Sequence, residues 1–239
     1  MAKRARKQNP RGSFNDMVIE LQDYRRKKLK IIPRNVHQED YLELLEDPSR
    51  HVIFATGPAG TGKTMMAVQM GIRKLEEGNI DRIVITRPAV SVDEQHGFLP
   101  GDLKEKMAPW TRPIFDFLED YYKPKQVEDM IKNKTIEISP LAYMRGRTFK
   151  DAFIIGDEMQ NATASQMKML LTRIGDRSKM VITGDLAQAD REHKNGLLDF
   201  IKLMREGTSH RICLQEFDRT DVQRHPVVKE VLRLSLIHI

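Results

Sequence analysis

The chain has 239 residues, with 40 Lys+Arg against 34 Asp+Glu, one cysteine and 40% hydrophobic residues. That much apolar material supports one domain of generous size and excludes wholesale disorder. The lone Cys213 excludes a disulfide scaffold or a Cys-rich zinc module and suits a reducing, cytoplasmic compartment, and apolar runs stop at four residues (Val52–Ala55), so neither a membrane span nor a signal-peptide core is expected.

The net charge of +6 is concentrated at one end. Residues 1–30 hold ten Lys/Arg and three Asp/Glu, a balance of +7 that leaves −1 for the rest. Two readings of this basic segment stand side by side: an electrostatic handle for nucleic acid, or a solvated tail. Residues 1–12 lack periodicity and read as a disordered arm. Ser13 with Asp16 reads as a helix start, followed by Met17, Leu21 and Leu29 on a stripe that ends before Pro33. A second short helix fits Gln38–Glu46 and stops at Asp47-Pro48, so 13–50 reads as an N-terminal helical segment ahead of a core over 51–233. Residues 234–239 receive no reading.

Within 51–233 short apolar strands alternate with helical stretches. The strands are His51–Thr56, Arg82–Thr86, Thr135–Ser139, Ala152–Gly156, Lys179–Thr183 and Arg211–Gln215. The helices are Thr64–Glu77, Arg112–Tyr122, Gln126–Lys132, Ser165–Ile174 and Leu197–Arg205. This alternation predicts an α/β fold, a mostly parallel sheet with helices on both faces. The Gly/Pro-punctuated stretch from Pro88 to Trp110 is too long for a turn and reads as a functional loop. Cys213, in an apolar strand, is expected to be buried, and the seven histidines show no metal-ligand spacing.

Gly57-Pro58-Ala59-Gly60-Thr61-Gly62-Lys63-Thr64 fits G-x-x-x-x-G-K-[ST], with an apolar strand before it and a helical run after it. Glycines here let backbone N–H groups turn toward phosphate oxygens at a helix N-terminus. Lys63 would reach the β/γ-phosphates, and the Thr64 hydroxyl would bind Mg²⁺. The strand Phe153–Gly156 ends in Asp157-Glu158. Asp157 suits a Mg²⁺-coordinating carboxylate and Glu158 a general base for water. After the next strand, Gln188 can donate to a γ-phosphate or to the attacking water. Arg145 and Arg147 flank a glycine with few acids nearby in the sequence. A guanine-reading Asn-Lys-x-Asp is absent, since Asn133-Lys134-Thr135-Ile136 lacks the aspartate. A small-molecule kinase is disfavoured because Glu158 is well placed to activate water.

Beyond these motifs, the sequence resembles the PhoH-like family of P-loop ATPases. The resemblance is carried by Gly57–Thr64, Thr86–Val90, Gly97–Gly101, Pro140–Thr148, Asp157–Asn161, Gln166–Met169, Leu171–Gly175, Gly184–Gln188 and Asp221–Pro226, in family order over roughly residues 35–230. The chain departs from the family's pattern at Ser91–His96 and at Asn195. The resemblance implies a RecA-like P-loop NTPase core, ATP hydrolysis with Mg²⁺, and likeness to superfamily 1 helicase cores. Residue by residue it makes Lys63 and Thr64 the Walker A pair, Asp157 and Glu158 the Walker B pair, and Gln188 the sensor. It puts Gln38 and Tyr41 where adenine is read and makes Arg224 a candidate γ-phosphate arginine. Arg145, Arg147 and Arg173 remain open between a nucleic-acid backbone, a neighbouring subunit's phosphate and plain solvation. RNA or another single-stranded nucleic acid is the implied partner. A single core with one P-loop implies a homo-oligomeric ring, a hexamer by family resemblance, with an arginine given in trans. The competing reading is an ATP-dependent switch or scaffold acting through a protein partner.

Overall fold

A computed structural model of the chain describes residues 29–88, 112–189, 195–207, 209–223 and 227. The basic arm, the helix from Ser13, the loop after Pro88 with its departure at Ser91–His96, Arg224 and the tail 234–239 lie outside the described residues.

All six predicted strands form, with ends moved by a residue or so: β1 Val52–Thr56, β2 Arg82–Arg87, β3 Ile136–Pro140, β4 Ala152–Gly156, β5 Lys179–Gly184 and β6 Ile212–Glu216. They make one sheet in the order β3-β2-β4-β5-β1-β6, and all five pairings are parallel. The helices are α1 Val36–Glu46, α2 Lys63–Glu76, α3 over residues 112–119, α4 Pro124–Lys132, α5 Ala164–Leu171 and α6 Gly196–Glu206. The expected α/β core, a parallel sheet between helices, is the observed one.

Burial explains why the inner strands read as unbroken apolar runs. Every residue of β1 and β4 is buried, since each has a strand on both sides and helices over both faces. On one face Phe54, Ile154 and Ile182 meet Met167 and Leu170 of α5 and Leu197 and Ile201 of α6. Phe200 of α6 stacks on Phe54 with centroids 6.3 Å apart. On the other face α2 lies so close that a Cβ on Gly71 would stand 3.3 Å from the Phe153 ring. Cys213 is only half-buried, contrary to expectation, because β6 is an edge strand.

Residues from Ile31 onward form one compact unit. Helix α1 therefore belongs to the core: it buries Tyr41 and Leu45 and contacts β1, β6 and α2. Asn35 caps its start by accepting from Gln38 N at 2.8 Å. Its end is held by Lys179, whose ammonium donates to the carbonyls of Leu44, Leu45 and Asp47 at 3.2, 2.7 and 2.7 Å. A cation is favourable there because carbonyl dipoles converge at a helix C-terminus. No helix among the described residues is long and apolar enough to cross a membrane.

Candidate functional site

A parallel sheet delivers the C-terminal ends of all its strands to one edge, and the loops leaving that edge build a shared crevice. Here the ends of β1, β2, β4 and β5 line a cavity of roughly 470 Å³, with Pro113 and Phe117 from α3 on one wall.

The loop Gly57–Gly62 leaves β1 and feeds α2. Gly57 has φ +136°, and a Cβ on it would stand 2.3 Å from the Phe217 carbonyl oxygen. Phe217 follows β6, and its N–H donates to Thr56 O at 2.7 Å, so the loop lies directly against that chain. Gly62, at φ +87°, turns the chain into α2, and a Cβ there would meet Gln38 Nε2 at 2.9 Å. Both positions therefore demand glycine. Lys63 reaches back inside the loop, where its ammonium donates to the carbonyls of Gly57 and Pro58 at 2.7 Å each and to the Thr61 hydroxyl at 3.2 Å. Burial presses Lys63 below the ordinary lysine range, while Asp185, Glu158 and Asp157 oppose that shift.

Asp157 follows β4. Its Oδ1 accepts from the Thr64 hydroxyl at 2.7 Å and from the Thr183 hydroxyl at 2.6 Å. This one oxygen therefore joins the first turn of α2, the end of β4 and the end of β5. Asp157 is 7% exposed, and among the described residues no hydrogen bond reaches its Oδ2. A hydroxyl and a carboxylate at this spacing, beside a phosphate-type loop, form the hard-oxygen donor set that Mg²⁺ takes together with substrate phosphates. The residues present fit that ion.

Glu158 has φ +53°, a left-handed backbone that costs a non-glycine residue on the order of 1–3 kcal/mol and is found at functional turns. Its Oε2 accepts from Gln160 Nε2 at 2.6 Å, and Gln160 Oε1 in turn accepts from Asp185 N at 3.1 Å. Asp185 Oδ2 takes the N–H of Ala59 in the loop at 3.1 Å and Nε2 of Gln188 at 2.9 Å. Gln188 thus lines the cavity through a carboxylate that also grips the loop. Linear reading does not single out Thr183, Asp185 or Gln160. Their signal is a hydroxyl and an acid at the end of a buried strand, which reads equally as an ordinary turn.

Of the two residues expected beside a base, Gln38 lines the cavity, whereas Tyr41 does not. Gln38 donates through Nε2 to Thr61 O at 2.9 Å and accepts at Oε1 from Arg34 N at 2.9 Å. Tyr41 is fully buried, edge-on to Phe217 at 5.6 Å, with its hydroxyl donating to Lys63 O at 3.4 Å. Burial raises its pKa. It props the loop from behind.

The arginines separate as well. Arg147, which the sequence leaves with few acids nearby, makes a two-pronged pair with Glu137 of β3, one contact at 2.7 Å, and lies 4.6 Å above the Phe149 ring. The pair lowers the Glu137 pKa and raises that of Arg147. Arg173 donates to the carbonyls of Met169 and Arg147 and so closes the end of α5. Arg145 is exposed and has no ion pair among the described residues.

After β6 the chain returns over the loop, and Gln223 N donates to Gly60 O at 2.9 Å. His37 Nδ1 meets Asp221 Oδ2 at 2.7 Å and clips α1 to this returning segment. His37, Asp218 and Asp221 bring ligand-type atoms within 4.8 Å of one another, a grouping that linear spacing does not suggest. Asp218 N and Thr220 N already occupy those carboxylates. The hydrogen bond to Asp221 raises the His37 pKa above the ordinary 6.5. Its stabilising contribution is therefore complete below pH 6.5 and is lost as pH rises through the higher folded value. NMR titration should find His37 above the free-imidazole value, and Asp221→Asn should bring it down. A His37 that titrates at or below that value with Asp221 intact contradicts the clip.

The family described as PhoH-like protein matches residues 30–235. A PhoH-like protein of Bacillus subtilis (strain 168) is 44% identical over 228 residues, 95% of this chain and 70% of the relative. A PhoH-like protein of Synechocystis sp. is 40% identical, covering 83% of this chain and 60% of the relative, and Protein PhoH of Escherichia coli (strain K12) is 39% identical, covering 84% and 57%. The chain thus spans between 57% and 70% of the length of these relatives. Among solved structures it is similar to a Sulfolobus solfataricus SWI2/SNF2 ATPase core in complex with dsDNA at TM-score 0.41 and 13% identity, over 66% of this chain and 33% of that one. That likeness is too remote to speak to function. By the family match over residues 30–235 and by its relatives, the chain belongs to the PhoH-like protein family.

Proposed function

We propose that this protein is a cytoplasmic ATPase of the motor type that works on RNA or another single-stranded nucleic acid. One observation carries the ATPase reading. Asp157 Oδ1 gathers the Thr64 and Thr183 hydroxyls beside a glycine-rich loop, and Glu158 opens on the same cavity as Lys63.

In this reading the triphosphate of ATP lies along Gly57–Thr64, with Lys63 exchanging its carbonyl partners for β/γ-phosphate oxygens. Gln38 and the Arg34 side of the cavity take the adenine end. Thr64 and Asp157 would hold Mg²⁺, which when bound neutralises charge on the β- and γ-oxygens. Glu158, steadied at Oε2 by Gln160, has Oε1 for the attacking water and takes its proton. The water oxygen bonds to the γ-phosphorus as the β–γ bridging bond breaks, giving ADP and inorganic phosphate. Gln188 leaves Asp185 to meet the γ-phosphate or the water.

Lys63→Ala should abolish nucleotide binding, whereas Glu158→Gln should keep binding and lose about 10²-fold or more in turnover. Binding by calorimetry and steady-state phosphate release separate the two. A Glu158→Gln protein hydrolysing ATP at the wild-type rate contradicts the role given to Glu158.

The nucleic-acid partner is supported by the +7 balance of residues 1–30 and by the resemblance to helicase cores. Deleting residues 1–12 removes five Lys/Arg and no acids. Affinity for single-stranded RNA should fall and its salt slope flatten by about 0.7 for each phosphate the arm had neutralised, with little change in RNA-free ATPase rate. An unaltered slope assigns the arm to the solvated-tail reading.

The ring of six rests on the single P-loop of this core, whose nucleotide would need a cation from a neighbour to complete its surroundings. With Arg147 paired and Arg173 bound to carbonyls, Arg145 is the first donor to test and Arg224 the second. Mixing Lys63→Ala with Arg145→Ala subunits should restore activity that neither has alone. A strict monomer with full activity at nanomolar concentration contradicts the ring.

A further inference from the structure

Arg87 ends β2, the strand beside β4. Thr86 pairs with Gly156, and Asp157 N donates to the Thr86 carbonyl at 2.8 Å, so Arg87 stands level with the acids of the site. Among the described residues its Nε is buried without a hydrogen-bond partner, and so is the neighbouring Thr86 hydroxyl. Arg73 also leaves its Nε unmet, but its terminal nitrogen pairs with Glu46, and Arg147 pairs with Glu137, whereas Arg87 has no acid partner among the described residues. A buried guanidinium N–H left unmet is destabilising, so an arginine in that state at a site points to an acceptor that arrives with a ligand.

The surroundings of Arg87 indicate which acceptor. Arg87 lines the loop cavity and also a second cavity of roughly 480 Å³ that shares Glu158 and Gln188 with it and adds Gln160 and Asn161. The cationic side chains that line this cavity are Lys63 and Arg87, with Arg34 on the Gln38 side, and the acids are Asp157, Glu158 and Asp185. A transferring phosphoryl group, itself negative, needs a second cation, and a forked guanidinium matches two phosphate oxygens at once.

We infer that Arg87 is the same-subunit cation that grips the γ-phosphoryl oxygens during hydrolysis, and that the adjoining polar cavity receives the inorganic phosphate product. This rests on the ATPase reading. The step needs no further reactant: the bond changes are those of hydrolysis, the proton goes to Glu158, and Arg87 neutralises charge on the non-bridging oxygens. Arg87 would act in its own subunit, alongside any arginine given in trans.

The test uses the full chain with Arg87→Ala, Arg87→Gln and Arg87→Lys, reading calorimetric affinity for Mg·AMP-PNP and for Mg·ADP, steady-state turnover, and inhibition by inorganic phosphate. In Arg87→Ala, ADP affinity should stay within about twofold while AMP-PNP affinity falls about tenfold, turnover drops about 10²-fold and phosphate inhibition weakens. Arg87→Lys should be intermediate, because it keeps the charge and loses the fork. A structural role would move both nucleotides together, so the ADP-to-AMP-PNP split is the deciding readout. Should Arg87→Ala fail to fold by circular dichroism, Arg87→Gln gives the same readouts. Mixing with Lys63→Ala should give no rescue, since both changes strike one site, and rescue overturns the same-subunit assignment. Wild-type discrimination and turnover in Arg87→Ala overturn the inference, as does a loss confined to RNA affinity, which would assign the guanidinium to a nucleic-acid phosphate. If the wild-type protein itself neither binds nor hydrolyses ATP, the ATPase reading fails and this inference with it.

Discussion

One carboxylate oxygen, Asp157 Oδ1, holds the site together. By accepting the hydroxyls of Thr64 and Thr183 within 2.7 Å, it ties α2, β4 and β5 at the edge where their loops meet. Such a buried, charge-assisted pair of hydrogen bonds is worth more than a surface contact, because the low local dielectric strengthens it and makes loss of a partner costly. The parallel sheet makes this convergence possible. The Asp157 position and Thr183 lie at the ends of paired strands, and Thr64 enters from the helix that follows the strand on the other side of β5.

The loop that faces this hub is restrained from several directions. Phe217 blocks any side chain at Gly57, Gln38 holds the Thr61 carbonyl, Asp185 takes the Ala59 N–H and Gln223 reaches Gly60 O. These contacts come from three separate parts of the chain: α1, the end of β5 and the segment after β6. The loop is thus preorganised to offer N–H groups to an anion, and binding has little ordering left to impose. Asp185 and Gln160 matter for the same reason. They connect the loop, Glu158 and Gln188 into one hydrogen-bonded series.

Much of this is legible in the sequence, for physical reasons that also explain the misses. The inner strands announce themselves because burial on both faces forces unbroken apolar runs, as in Ala152–Gly156. The loop announces itself because φ above zero at Gly57 and Gly62 leaves no other residue type. Asp157 and Glu158 follow from their place after a buried strand. What linear reading does not supply is pairing across the chain. Arg147 looks free until Glu137, ten residues earlier, is seen to stand beside it on the edge strand. Tyr41 looks available to a ligand until Phe217, far along the chain, covers it. Thr183 meets Asp157 only once β5 lies next to β4. Arg87, too, draws notice through an absence of partners, which only the folded chain reveals.

The central claim is that Thr64 and Asp157 form, with the Gly57–Lys63 loop, one site for a magnesium nucleotide. A crystal structure of the full chain with Mg²⁺ and AMP-PNP tests it most directly. The β/γ-phosphates should lie in the loop on Lys63, with the ion bound by Thr64 Oγ1 and held by Asp157 directly or through one water. A nucleotide seated away from the loop, or an ion that meets neither Thr64 nor Asp157, would contradict it.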